Sequence, residues 1–169
     1  MNDCPVAPLI YLAGPSVFRP DAEAYALEVL NACRLRGLRG LYPFEAEEGH
    51  AAMTRSDTLF RSNLERIELA DIVCADLNPF RGSEPDSGTC FELGYAHARG
   101  KRLYGFLSDT RPLKSKLGAK DGSGWHVEDF ALPVNLMLGV PVRIVCGEVT
   151  DCLDEIARTL APRYLDKAA

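Results

Sequence analysis

Ile72-Val-Cys-Ala-Asp-Leu77 is followed by a polar loop, by Ser87-Gly-Thr-Cys-Phe-Glu-Leu-Gly-Tyr-Ala-His-Ala-Arg99 and then by Arg102-Leu-Tyr-Gly-Phe-Leu107. The first run is apolar at almost every position rather than at every second one. A strand of that kind is expected where helices cover both faces of a sheet, as they do when parallel strands are joined by helical crossovers. Working outward, Pro8 to Ala13 and Leu38 to Tyr42 read as strands, with Asp21 to Arg36 and Ser56 to Leu69 as helices. Downstream, Val142 to Cys146 reads as a fifth strand and Asp151 to Leu160 as a last helix. The pattern predicts a flavodoxin-like doubly wound α/β domain. Its five-stranded parallel sheet has the order 2-1-3-4-5, with helices on both faces and a ligand crevice beyond the carboxyl ends of strands 1 and 3. Ser108 to Pro133 reads as a long loop of the kind that serves as a lid, binding element or subunit contact.

The 169 residues read as one domain spanning 1–169. A net charge of −5 with scattered basic residues offers no stripe to track a phosphate backbone, which argues against a nucleic acid polymer as partner. A small polar ligand fits better. The N-terminal residues are too polar for a signal peptide and no apolar segment reaches membrane-spanning length, so a cytoplasmic location without a membrane partner is expected. Six cysteines, Cys4, Cys33, Cys74, Cys90, Cys146 and Cys152, have wide irregular spacings and no C-x-x-C pair. Cys33, Cys74 and Cys146 lie in apolar runs and are expected to be buried and inert. Cys90 stands two residues before Glu92. His50, His97 and His126 are dispersed, form no metal or nucleophile–base pattern, and are expected at the surface or an interface.

Glu92 falls in the second turn of the predicted helix with no cation one turn away. The residues four before and four after it are Gly88 and Ala96, so its carboxylate is expected to lie over bare backbone that a small molecule can approach closely. That is the setting a carboxylate nucleophile requires. Ser87 reads as the N-cap of this helix, with Asp86 beside it at the mouth of the same crevice, where its oxygens are placed to accept from sugar hydroxyls. Gly14-Pro15 after strand 1 lacks the G-x-G-x-x-G pattern and reads as a tight turn opening the crevice; a Walker pattern is absent too. Hydride transfer on a dinucleotide and nucleotide triphosphate hydrolysis are thereby set aside. Trp125 reads equally as a platform for a planar base or an interface anchor.

Ile10-Tyr-Leu-Ala-Gly-Pro15, Ala70-Asp-Ile-Val-Cys-Ala-Asp76, Asp86-Ser-Gly-Thr-Cys-Phe-Glu-Leu-Gly-Tyr-Ala96 and Pro133-Val-Asn-Leu-Met137 together resemble the nucleoside 2-deoxyribosyltransferases. The resemblance implies transfer of a 2-deoxyribosyl group between nucleobases through a covalent sugar–enzyme intermediate, with retention and in nucleoside salvage. Metal and organic cofactor are not required. By the same resemblance Glu92 matches the nucleophile, Tyr11 the tyrosine that positions it, and Asp86 the aspartate that binds the sugar 5′-hydroxyl. Asn135 and Met137 match residues that reach a neighbouring subunit's site, which implies a homo-oligomer with shared sites acting on a nucleoside and a free nucleobase. Asn63 stands where several members carry an aspartate that handles the departing base. An amide cannot supply that proton, which leaves water, Asp76, Asp57 or the base's own tautomer.

Two other functions compete. A related activity hydrolyses the N-glycosidic bond of nucleoside 5′-monophosphates. Asp86 would repel the phosphate, whereas Arg19 or Arg81 would attract it. A non-catalytic flavodoxin-like ligand-binding module is the third reading. It is disfavoured because strand 1 ends in Leu12-Ala13-Gly14 without acidic residues.

Overall fold

The computed structural model describes residues 6–43 and 54–165. Five parallel strands form one sheet in the order β2-β1-β3-β4-β5: β1 Leu9–Ala13, β2 Arg39–Leu41, β3 Ile72–Asp76, β4 Arg102–Leu107 and β5 Arg143–Cys146. The order is the expected one. β1 pairs with β2 through Tyr11↔Leu41 and with β3 through Tyr11↔Val73. Chain direction across the sheet therefore reverses at β1, where the crossovers diverge and leave a crevice.

The continuous apolar runs are explained by two cores. Ile10, Leu12, Ile72, Cys74, Tyr104 and Phe106 face one side. There they meet Ala26, Val29 and Cys33 of α1 (Ala22–Leu35) and Cys152, Leu153, Ile156 and Leu160 of the last helix (Val149–Leu165). Tyr11, Ala13, Val73, Ala75, Leu103 and Leu107 face the other. They pack on Ile67 of α2 (Arg55–Leu69) and on Leu93 and Ala96 of α3 (Ser87–Ala98). Successive strand residues thus serve opposite helix layers, and both sets must be apolar.

The structure adds short elements that periodicity did not mark: a 3₁₀ turn at Pro15–Phe18, and within and after the long loop α4 (Leu113–Leu117) and α5 (Leu136–Gly139). The last helix is α6 in chain order. Cys33, Cys74 and Cys152 are buried free thiols, and burial pushes Cys33 up to about 11. Cys146 corrects its expectation: it is exposed, because it ends the edge strand β5, where neighbours cover it on one side only. Cys4 and His50 lie outside the described residues. Among the described residues no helix is long and apolar enough to cross a membrane, and no group of three or more His, Cys, Asp or Glu is placed to hold a metal ion.

Candidate active site

Tyr11 sits in the middle of β1 with no exposed surface, so its ring is fixed by the core and its hydroxyl has one direction in which to point. That direction is α3. The hydroxyl donates to Glu92 Oε1 at 2.6 Å, a short charge-assisted geometry. Glu92 is there because α3 turns Thr89, Leu93 and Ala96 into the core, which brings the adjacent stripe of Gly88 and Glu92 to the helix edge facing the crevice.

The crevice holds about 420 Å³ and is lined by Gly14, Val17, Phe18, Pro43, Leu59, Asn63, Asp86, Gly88, Thr89 and Glu92. Gly14 (φ +157°) lets the end of β1 approach the end of β3, because a Cβ there would meet Asp76 Cβ at 2.9 Å. A Cβ on Gly88 would stand 3.0 Å from Asp86 Oδ2, so the bare backbone expected beside Glu92 also leaves Asp86 its place.

The N-cap of α3 is Asp86, one residue before the expected Ser87. Asp86 Oδ2 accepts from Thr89 N at 2.9 Å and from Thr89 Oγ1 at 3.1 Å. Its side chain satisfies a free N–H group of the helix's first turn, as a capping residue does. Both bonds fall on Oδ2, and no described residue bonds Oδ1. Asp86 is therefore locked in orientation with one oxygen left for a ligand.

Glu92 has no cationic partner in this setting. Burial raises its carboxyl from 4.5 to about 7; the Tyr11 hydrogen bond pulls it back down and the Asp86 charge pushes it further up. Tyr11 is driven well above the usual phenol range by burial first and by the Glu92 charge and hydrogen bond next, against a lowering by Arg66. Near neutral pH Glu92 thus alternates between carboxylate and acid while Tyr11 remains a donor. Asn63 on α2 approaches the same oxygen, with Nδ2 3.5 Å from Glu92 Oε1 and Oδ1 accepting from Arg66 Nη1 at 3.3 Å.

Glu92, Tyr11, Asp86, Asn63, Gly14 and Gly88 come together in one place. Asn135 and Met137 do not join them within the chain. They line a second groove of about 630 Å³ on the other side of α3, with Cys90, Gly94 and His97. Asn135 caps α5 through Met137 N at 3.0 Å and donates to Glu128 Oε2 at 2.9 Å, while the Met137 side chain is exposed. Asp57 and Asp76 do not line the crevice. Asp57 accepts from the capping hydroxyl of Thr54 at 2.6 Å, and Asp76 Oδ1 accepts from Asn78 N and Nδ2 at 2.9 and 2.8 Å. His97, His126 and Trp125 are exposed.

Sequence reasoning did not single out Phe18 and Phe80. Their rings stack at 5.7 Å and 13°, and the Arg81 guanidinium lies 4.9 Å from the first centroid and 4.7 Å from the second. Arg81 holds a left-handed backbone (φ 55°), uncommon for a residue with a Cβ. Arg19, by contrast, is engaged by Asp21 through two bonds of 2.9 Å. Of this cluster the sequence singled out Arg81 alone, as a cation that would attract phosphate.

Residues 10–137 match the model of the nucleoside 2-deoxyribosyltransferase family. Among solved structures, a 2-deoxyribosyltransferase from Leishmania mexicana is 38% identical, with a TM-score of 0.78 over 89% of this chain and 97% of that one. The CMP N-glycosidase of Clostridium botulinum shares the fold at 15% identity and a TM-score of 0.51, over 88% of this chain and 97% of its own. An uncharacterised protein of Schizosaccharomyces pombe is 36% identical over 126 residues, 70% of this chain; the chain spans 58% of that relative's length.

Proposed function

This chain belongs to the nucleoside 2-deoxyribosyltransferase family, and from that premise we propose that it moves a 2-deoxyribosyl group between nucleobases through a glycosyl–Glu92 intermediate. The observation that carries the reading is the Glu92 carboxylate, without a cationic partner, in an open crevice, and aimed by a core-fixed Tyr11 hydroxyl at 2.6 Å. A salt-bridged carboxylate would be a poor nucleophile. One held by neutral donors on Oε1 alone keeps Oε2 free for the anomeric carbon.

Glu92 attacks the anomeric carbon, the base departs, and an incoming base displaces the carboxylate. Two inversions give net retention, as in retaining glycosidases. Tyr11 orients the nucleophile. The free oxygen of Asp86 accepts from the sugar 5′-hydroxyl, Asn63 contacts the base, and Gly14 and Gly88 give the sugar access to backbone. Asn135 and Met137, on the far side of α3, serve the site of a neighbouring subunit in a homo-oligomer. The competing reading, hydrolysis of nucleoside 5′-monophosphates, draws on Arg81, a cation beside the crevice residue Phe18 with no salt-bridge partner among the described residues. Asp86 at the 5′ position opposes it.

The test is a chromatographic assay with 2′-deoxynucleosides and, in parallel, 5′-monophosphates, each with and without a second base. Formation of a new deoxynucleoside only in the presence of the acceptor base supports the transferase. Base release from monophosphates alone would establish the hydrolase instead.

A further inference from the structure

The orientation of the Asn63 amide is dictated by its two neighbours. A guanidinium only donates and a carboxylate only accepts, so Oδ1 must face Arg66 and Nδ2 must face Glu92, as the distances of 3.3 and 3.5 Å place them. The bond to Glu92 is long, and Asn63 lines the crevice. The other polar side chains lining it are Asp86, Thr89 and Glu92. Thr89 gives its hydroxyl proton to Asp86, Asp86 caps α3, and Glu92 is needed as the nucleophile. Among the described residues no lining side chain is left to act as an acid, while one donor with a cation behind it is.

On the transferase reading above, we propose that the departing base leaves as an anion, received by the Asn63 N–H groups with Arg66 polarising the amide from behind. The Glu92 carboxylate forms its bond to the anomeric carbon as the bond from that carbon to the base nitrogen breaks. The electron pair of the broken bond stays on the base, which carries away the negative charge the carboxylate brought. No proton is transferred in this step; the base anion takes one from solvent afterwards. In the second half the incoming base gives its ring proton to solvent and its nitrogen displaces the carboxylate. Charge delocalised over a heterocycle next to a fixed donor is the situation in which a preorganised hydrogen bond lowers a barrier. Substrates are then selected by base acidity as well as by shape.

The experiment is single-turnover base release from 6-chloro-, 6-oxo- and 6-aminopurine 2′-deoxyribosides, whose bases lose the ring proton progressively less readily. For the intact protein the rate is expected to fall by up to roughly tenfold per pKa unit of lost base acidity, the limit for full charge development. It is expected to rise with pH to a plateau that holds to pH 9, without a solvent deuterium effect. Asn63→Leu is expected to lower the rate by roughly a hundredfold and steepen the dependence on base acidity, and Arg66→Met to steepen it in the same direction. A rate indifferent to base acidity, a fall between pH 7 and 9 with the 6-chloro or 6-amino donor, or a slope unchanged in Asn63→Leu would overturn the proposal while leaving the transferase standing. Absence of turnover with every donor would remove the transferase reading itself, and the proposal with it.

Discussion

Replacing Glu92 by Gln keeps the size of the side chain and an acceptor for the Tyr11 hydroxyl while removing the charge. In the folded chain the carboxyl titrates near 7, and in an unfolded chain near 4.5. Between those values the folded state holds more of the proton, so the stability associated with the protonated form is complete below 4.5 and is lost as pH rises through about 7. At 1.36 kcal/mol per pH unit, the interval corresponds to about 3 kcal/mol at pH 8, which wild type loses and the Gln variant does not. Glu92→Gln should therefore be inactive yet more stable at pH 8, by about 6–12 °C in melting temperature for a chain of this size. By pH 5 the difference should shrink to about 1 kcal/mol or less. Urea unfolding of both proteins from pH 5 to 8.5 measures it, and the subtraction cancels every group the two share. A stability difference that does not change with pH, or a Gln variant less stable at pH 8, would refute the argument that an unpaired buried charge is maintained there at the expense of the fold.

If Glu92 reacts as the carboxylate, as proposed, kcat/KM for a deoxynucleoside should climb with pH and level off above about 7. Tyr11→Phe retains the buried ring but deletes the donor that pulls the Glu92 carboxyl down. It should slow transfer by roughly tenfold to a hundredfold and move that rise to higher pH, with circular dichroism unchanged; a rise left where it was would dissociate Tyr11 from Glu92. Asp86→Asn keeps an oxygen for the α3 cap, whereas Asp86→Ala should destabilise the protein by about 1 kcal/mol. Both should weaken nucleoside turnover and relax discrimination against 5′-monophosphates, and an unchanged ratio of the two activities would take Asp86 away from the 5′ position. Gly88→Ala puts a methyl 3.0 Å from Asp86 Oδ2 and should raise KM for the nucleoside more than it lowers kcat, as read from initial rates.

The strand runs were legible because a strand covered on both faces has to be apolar throughout, and Ile72–Asp76 and Leu9–Ala13 leave little else to be. Glu92 was legible from what surrounds it in sequence: Gly88, Ala96 and no cation. The pairing with Tyr11, 81 residues away, came through family resemblance, since a tyrosine in an apolar strand looks locally like any core aromatic. The cap shifted by one residue because Asp86 and Ser87 are both good cap formers and only tertiary position chooses between them. Elements of four or five residues, such as Leu113–Leu117 and Leu136–Gly139, are too short to show a helical period. That Asn135 and Met137 lie across α3 from Glu92 depends on how the long loop packs, and local sequence carries no record of that. The Arg66–Asn63 contact has an ordinary i,i+3 spacing, and its importance emerges only once Glu92 stands on the amide's other side.

Phe18 comes from the turn after β1, and Phe80 and Arg81 come from the loop after β3. Those two loops bound the crevice, so their stack works as a latch between its banks. The two loops are thus coupled through these contacts. Grafting the β1 turn of a relative into this chain, or the β3 loop alone, would leave one ring without its stacking partner. Exchanging both together transplants a finished rim.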